Sequence, residues 1–389
     1  MRNPLSKKIV EIEPSGIRKF FDLVSEMEDA ISLGVGEPDF DTPWRIREEG
    51  IFTLEKGRTF YTSNAGLQEL RTEICSYLDR KIHVKYNPDT ETLVTVGGSE
   101  AIDVALRCML DPKDEVLIPQ PCYVSYLPCA VMADGVPVVI PLQYDNEFKL
   151  TVEDLEKHIS PKTKVLIMPF PNNPTGSIMT KEDLEPVAEF VKEHDLYVLS
   201  DEIYSELTYK SEHVSIASLP GMRERTIVIN GFSKGFAMTG WRLGYCCGPE
   251  AIIEQMIKLH QFAIMCAPTN SQYAAVEGLK NCAYEVEEMR KSYNQRRRFL
   301  LHEFARMQLE CFEPFGAFYV FPSIQEFNMT SEKFANRLLH EEKVAVVPGT
   351  AFGACGEGFL RISYAYSLED LKEALARLGY FIQRLRNER

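Results

Sequence analysis

The 389-residue sequence predicts an α/β protein: a large domain with a mainly parallel, doubly covered sheet, plus a smaller α+β domain. Three observations carry this. Between about residues 92 and 262, short apolar runs alternate with segments of helical period, the pattern of strands joined by helical crossovers. Near residue 280 the alternation breaks, and a long charged helical stretch with only short strands follows. The chain is also too long for one core of roughly 150 residues.

The elements follow in order. Thr92 to Val96 reads as a strand, turned by Gly97-Gly98 into a helix from Ser99 to Met109, with Ala101, Ile102, Ala105, Leu106 and Met109 on one side. Glu115 to Ile118 is a strand, Tyr123 to Met132 a helix, Val136 to Ile140 a strand. Thr151-Val-Glu-Asp154 is a capping pattern opening a helix to about Ile159, and Thr180-Lys-Glu-Asp183 opens another to about His194. Lys164 to Phe170, Leu196 to Ser200, Thr226 to Asn230 and Trp241 to Cys247 read as strands, followed by an amphipathic helix near Ala251 to Phe262. In the last third the reading is a helix over Tyr284 to Met307, a strand over Gly316 to Phe321, and a helix over Ser331 to Glu341. Short strands at Val344 to Val347 and Phe359 to Tyr364 and a terminal helix from Leu368 to Arg386 complete it.

Lysine and arginine total 43 against 57 acidic residues, a net charge of −14. Such a surface repels phosphate backbones and anionic lipid, so neither a nucleic acid nor a membrane is expected as a partner. The opening residues MRNPLSKK have no apolar core and no run is long enough to span a bilayer, so a cytoplasmic protein is expected. None of the 10 cysteines forms a C-x-x-C pair and the 7 histidines include no H-x-x-x-H, which predicts buried free thiols and no metal site.

A parallel sheet binds its ligand beyond the carboxyl ends of its strands. Behind the apolar runs stand Gly97-Gly98-Ser99-Glu100, Pro171-Asn172-Asn173-Pro174-Thr175-Gly176, Asp201, and Gly231-Phe232-Ser233-Lys234. Backbone N–H groups at a helix start with a serine hydroxyl suit a phosphate, although most Gly-Gly pairs are only turns. Lys234 sits among apolar residues, where a lysine can lose its proton and act as a nucleophile; the plain alternative is a solvated side chain. Arg242, between glycines, favours an anion, and Asp201 either caps a turn or pairs with a protonated ring nitrogen.

The run Ser233-Lys234 … Met238-Thr239-Gly240-Trp241-Arg242 … Gly244 resembles the lysine-attachment signature of the pyridoxal-phosphate-dependent aminotransferases, class I/II, fold type I. Gly36-Glu37-Pro38-Asp39-Phe40, Tyr61 … Gly66 … Leu70-Arg71, Asn173-Pro174-Thr175-Gly176, Asp201-Glu202-Ile203-Tyr204 and Arg361-Ile362-Ser363 follow in that family's order. The resemblance spans about residues 10 to 385. It implies segment 1–45 joining a small domain, a large cofactor domain over 46–283, and a small C-terminal domain over 284–389.

It also implies roles. Lys234 would be the Schiff-base lysine and proton shuttle, and Asp201 the partner of the pyridine nitrogen. Asn173 and Tyr204 would bond the ring oxygen, and Tyr123 would stack on the ring, unless it is only a core aromatic. Gly98, Ser99, Glu100, Ser233 and Arg242 would hold the phosphate, Gly98 and Glu100 through backbone N–H, with Ser233 otherwise a turn residue. Tyr61 would reach the phosphate of a second subunit, making a homodimer with shared active sites. Arg361 would clamp the substrate carboxylate, helped by the Gly36 N–H. Phe20 and Phe21 would line the substrate site or form a core helix face.

The substrates implied are an amino acid and a 2-oxo acid, with 2-oxoglutarate the common acceptor. In some aspartate-specific members a lysine follows the Gly-Gly pair; here Ser99 stands there, which weakens an aspartate-only reading. Stretches around residues 15–20, 200–209 and 327–330 look like the bacterial N-acetyl-diaminopimelate aminotransferases, with aromatic donors the close competitor. A C–S β-lyase on the same fold is an alternative. An aminotransferase-like transcription regulator is a remote one, since it needs an added DNA-binding domain.

Overall fold

The computed structural model describes residues 2–14, 16 and 29–388. Phe20 and Phe21, read above as substrate-lining or core residues, lie outside the described residues. The strands in chain order are β1 (Ile31–Ser32), β2 (Thr92–Thr95), β3 (Glu115–Gln120), β4 (Val136–Pro141), β5 (Thr163–Met168) and β6 (Tyr197–Asp201). They continue as β7 (Thr226–Gly231), β8 (Gly244–Cys247), β9 (Tyr319–Val320), β10 (Val344–Ala345), β11 (Val347–Pro348) and β12 (Leu360–Ser363).

Seven strands form one sheet in the order β2-β8-β7-β6-β5-β3-β4. All pairings are parallel except those of β8, which runs antiparallel to both β7 and β2. Two reversals cancel, so β2 points the same way as β7. The carboxyl ends of every strand but β8 therefore meet at one edge, and the start of β8 meets them there.

Neighbouring residues of one strand feed opposite faces. Val116, Ile118, Val165 and Ile167 pack with the helices Gly98–Met109 and Glu250–Ala263, while Leu117, Leu166 and Val198 pack with Lys181–Glu193. Val94, Val228 and Tyr245 meet the helix Gln68–Ile82. Both faces are covered, which is why these strands read as unbroken apolar runs rather than alternations. Thr151–Asp154 and Thr180–Asp183 form complete capping boxes, each threonine accepting from the Asp N–H and each Asp from the threonine N–H.

Beyond the large sheet, β11, β12 and β9 form an antiparallel three-stranded sheet, and β1 pairs in parallel with β10. The segment Ala283–Met307 is one unbroken helix.

Several expectations change. The Trp241 to Cys247 strand starts only at Gly244, because Arg242 takes a φ of +53° and turns the chain. Gly316 to Phe321 shrinks to β9, since Ala317 has a φ of +57°. The Val344 to Val347 strand splits at Val346 into β10 and β11, which serve different sheets. The helix after Thr151 ends at Glu156. Helices Trp44–Glu55, Gln68–Ile82 and Thr269–Asn281 were not anticipated. The last buries Ser271, Gln272, Ala274, Ala275 and Gly278 besides Val276 and Leu279, so its apolar stripe is weak.

Candidate active site

The strand edge opens into a cavity of about 310 Å³. Each contributing element ends in a residue type that suits a different part of a ligand. After β2, Gly97 adopts a φ of +79°, which a side chain would strain, and a Cβ there would lie 2.8 Å from Arg242 Nη2. The bare backbone lets the helix Gly98–Met109 aim its N-terminus into the cavity with Ser99 on its first turn. Ser99 Oγ lies 3.2 Å from the Tyr123 hydroxyl. Arg242, just before β8, donates Nη1 to Thr239 O at 3.1 Å and remains exposed for another acceptor. Ser233 is buried beside it. Together these groups make an anion cup of backbone donors, hydroxyls and one guanidinium.

Asp201 closes β6 and is buried. Its carboxylate accepts from the Tyr126 hydroxyl at 2.7 Å and from Ile203 N at 3.2 Å. No lysine or arginine among the described residues pairs with it. Burial pushes its acidity down and its pKa up, the neighbouring Glu202 adds to that, and the two donors oppose it. An uncompensated buried carboxylate in a cavity wall suits a cationic ligand atom.

Lys234 follows β7 and donates Nζ to Gly36 O at 2.6 Å. Burial lowers its pKa from 10.5 to about 8; Glu37 works against this, while Arg361 and Arg242 add to it. Lys234 therefore reaches a nucleophilic, uncharged form far more readily than a surface lysine.

Arg361, in the middle of β12, is 2% exposed. It donates Nη1 to Asn173 Oδ1 at 2.9 Å and Nη2 to Gly34 O, and lies between the rings of Tyr319 and Phe352 at 4.6 and 4.7 Å. Its Nε is buried without a partner, an open donor that a carboxylate can satisfy. Desolvation lowers its pKa. The Tyr204 hydroxyl lies 2.8 Å from that of Tyr319, and burial raises the pKa of Tyr204 well above the usual phenol.

Gly36, Gly98, Ser99, Tyr123, Asn173, Asp201, Tyr204, Ser233, Lys234, Arg242 and Arg361 thus line one cavity. Tyr61, expected at the site of a second subunit, and Glu100, expected to act through its backbone N–H, are not among that lining. Tyr61 is 81% exposed on the surface. The Glu100 side chain turns away, accepting from Val96 N and pairing with His260 Nδ1. Sequence reading missed Tyr126 and Tyr319. Tyr126 stands three residues past Tyr123 in the same aromatic run, and Tyr319 lies in Gly316-Ala317-Phe318-Tyr319; neither spacing is a motif by itself.

Among the described residues, no cluster of His, Cys, Asp or Glu could hold a metal, and no helix is long and apolar enough to cross a membrane. All ten cysteines are free thiols.

Residues 28–378 match the family model for aminotransferase class I and II. The chain is 48% identical to an aspartate aminotransferase of Pyrococcus abyssi, over 96% of this chain and 97% of that one. It is 42% identical to a Bacillus subtilis protein assigned as a probable N-acetyl-LL-diaminopimelate aminotransferase, over 99% and 98% of the two chains. The crystal structure of an aromatic aminotransferase from Pyrococcus horikoshii superposes with a TM-score of 0.90 at 46% identity, covering 95% of this chain and 99% of the other.

Proposed function

The chain belongs to the class I and II aminotransferases, enzymes of amino-group transfer between amino acids and 2-oxo acids, and from that premise we propose how its residues divide the work. The observation that carries the proposal is the convergence of a lysine of lowered pKa, a buried carboxylate without a cation and a buried arginine with an open donor on one cavity.

These residues fit pyridoxal phosphate, the cofactor of this family. When bound, pyridoxal phosphate supplies an electrophilic carbonyl carbon and a pyridine ring that accepts carbanion charge. Gly98, Ser99, Glu100 through its backbone N–H, Ser233 and Arg242 would hold its phosphate. Asp201 would hold a proton on the ring nitrogen. Asn173 and Tyr204 would bond the ring oxygen, and Tyr123 would pack on the ring. Lys234 would hold the carbonyl carbon, and its free amine would move the proton at the donor Cα. Burial already holds the pKa of Lys234 below the ordinary lysine value, which favours the free amine that this task needs. Arg361, with the Gly36 N–H, orients the α-carboxylate.

The same reading extends to assembly. Tyr61 completes the phosphate site of a second copy in a cytoplasmic homodimer. Phe60, Tyr61, Phe262 and Met265 stay exposed, and Asn64 Nδ2 bonds Met265 O at 2.8 Å, which ties the segment of Phe60 and Tyr61 to the end of the helix Glu250–Ala263; a second copy would cover these apolar side chains. The division into segment 1–45, a large domain over 46–283 and a small domain over 284–389 is supported by the β1–β10 pairing.

For the donor, the lysines and arginines lining the cavity are Lys234, Arg242 and Arg361, and each has a role above. Among the described residues none is left for a distal carboxylate, and Tyr123, Tyr126, Tyr204 and Tyr319 enrich the lining in aromatic surface. The aromatic lining supports an aromatic donor over aspartate alone; N-acetyl-diaminopimelate as the other donor and 2-oxoglutarate as acceptor, which both carry a distal carboxylate, are supported by the likeness to relatives rather than by this lining. The test mixes pyridoxal-loaded enzyme separately with aspartate, glutamate, tyrosine, alanine and N-acetyl-diaminopimelate, following the cofactor's visible absorbance. Conversion by tyrosine or N-acetyl-diaminopimelate ahead of aspartate is expected. Aspartate ahead of both overturns the donor reading, and pyruvate with ammonia from a C–S substrate, without pyridoxamine phosphate, makes the enzyme a β-lyase.

A further inference from the structure

Asp201 is subject to opposed influences that can be separated. Burial and the charge of Glu202 disfavour its ionised form. Glu202 is itself fully buried on the other side of the strand end, held by Ser200 Oγ at 2.8 Å, Ser215 Oγ at 2.5 Å and His213 Nε2 at 2.9 Å. The donors that favour the ionised form are the Ile203 N–H and the Tyr126 hydroxyl, and only the second is a side chain.

Tyr126 opens the helix Tyr126–Met132, is 2% exposed, and meets the Tyr123 ring edge-on with centroids 5.7 Å apart. Its ring is thus fixed by packing, and its hydroxyl has one acceptor, Asp201 Oδ2, at 2.7 Å. Burial raises the tyrosine's own pKa well above the phenol value, so it stays a donor and never competes as an anion.

We propose that Tyr126 is a positioning residue of the amino-transfer reaction: its hydroxyl keeps Asp201 an ionised acceptor, so that the proton between Asp201 and the cofactor stays on the ring nitrogen. The inference rests on the reading of Asp201 as the ring-nitrogen partner. A hydrogen bond to a charged group biases such a proton by about tenfold to a hundredfold. Tyr126→Phe keeps the ring and its packing and removes only the donor.

The experiment loads wild type, Y126F, D201N and the double variant with pyridoxal phosphate labelled with ¹⁵N in the ring, and records ¹⁵N and ³¹P resonances of each holoenzyme. D201N should move the ring ¹⁵N signal to the unprotonated position. Y126F should move it part of the way in the same direction, add nothing in the D201N background, leave the ³¹P signal in place, and lower kcat about tenfold with little change in KM. A Y126F signal that stays at the wild-type position while D201N moves overturns the inference alone. A Y126F change that includes the ³¹P signal also overturns it, since the cofactor would then have shifted bodily. A D201N signal that does not move overturns the reading of Asp201 beneath it.

Discussion

Two adjacent acidic residues at the end of β6 sit in opposite kinds of surroundings. On the cavity side, valences are left open: Asp201 has only neutral donors, Lys234 holds one carbonyl, and Arg361 has a buried Nε without a partner. On the reverse side, Glu202 is saturated by two serines and a histidine. Burying polar groups costs free energy unless partners are supplied. The reverse side is therefore built to be stable as it stands, and the cavity side to be completed by a ligand. The difference teaches where stability and chemistry should part company under mutation.

The sharpest break would come from Lys234→Ala. Transamination should fall below detection while urea unfolding of the protein is not weakened; a variant that kept activity, or lost mainly stability, would erase the contrast. Next in size, Glu202→Ala should lower unfolding free energy by about 3–5 kcal/mol, because it strands His213 and two buried hydroxyls; a denaturation midpoint near wild type would show that the reverse side is not structural.

Smaller again is a pH effect on the apoenzyme. The folded pKa of Lys234, about 8, is below its ordinary 10.5, so the folded state pays to keep this amine charged. That penalty is full below about pH 8 and fades as pH climbs towards 10.5. Lys234→Met should therefore stabilise the apoenzyme at pH 6–7, by up to about 3 kcal/mol, and the gain should vanish at high pH. A gain that grows with pH would contradict the sign. Smallest, Arg361→Lys should cost about tenfold to a hundredfold in kcat/KM for donors with an α-carboxylate, by losing the planar fork; equal loss with amines lacking that group would assign the arginine elsewhere.

Much of this edge was legible in the sequence because strand-end chemistry is local. Asp201, Lys234 and the Gly97-Gly98-Ser99 turn each directly follow an apolar run, and a parallel sheet brings such positions together. Tyr126 and Tyr319 were not legible, because their contacts come from elements far apart in sequence: 75 residues separate Tyr126 from Asp201, and 115 separate Tyr204 from Tyr319. The helix Thr269–Asn281 escaped for another reason: apart from Val276 and Leu279, its buried face is made of small and polar residues. The break at Val346 is a tertiary choice too, since an apolar run does not say which sheet each residue will join.

A last consequence concerns Gly36. Its carbonyl holds Lys234, and a Cβ on it would collide with the hydroxyl of Tyr319, which in turn meets Tyr204. A methyl group at 36 would therefore push on two chamber walls at once: the tyrosine hydroxyl must move to admit it, and moving it loosens its contact with Tyr204. One carbon atom at this glycine would thus be felt at the catalytic lysine and at the ring-oxygen tyrosine together.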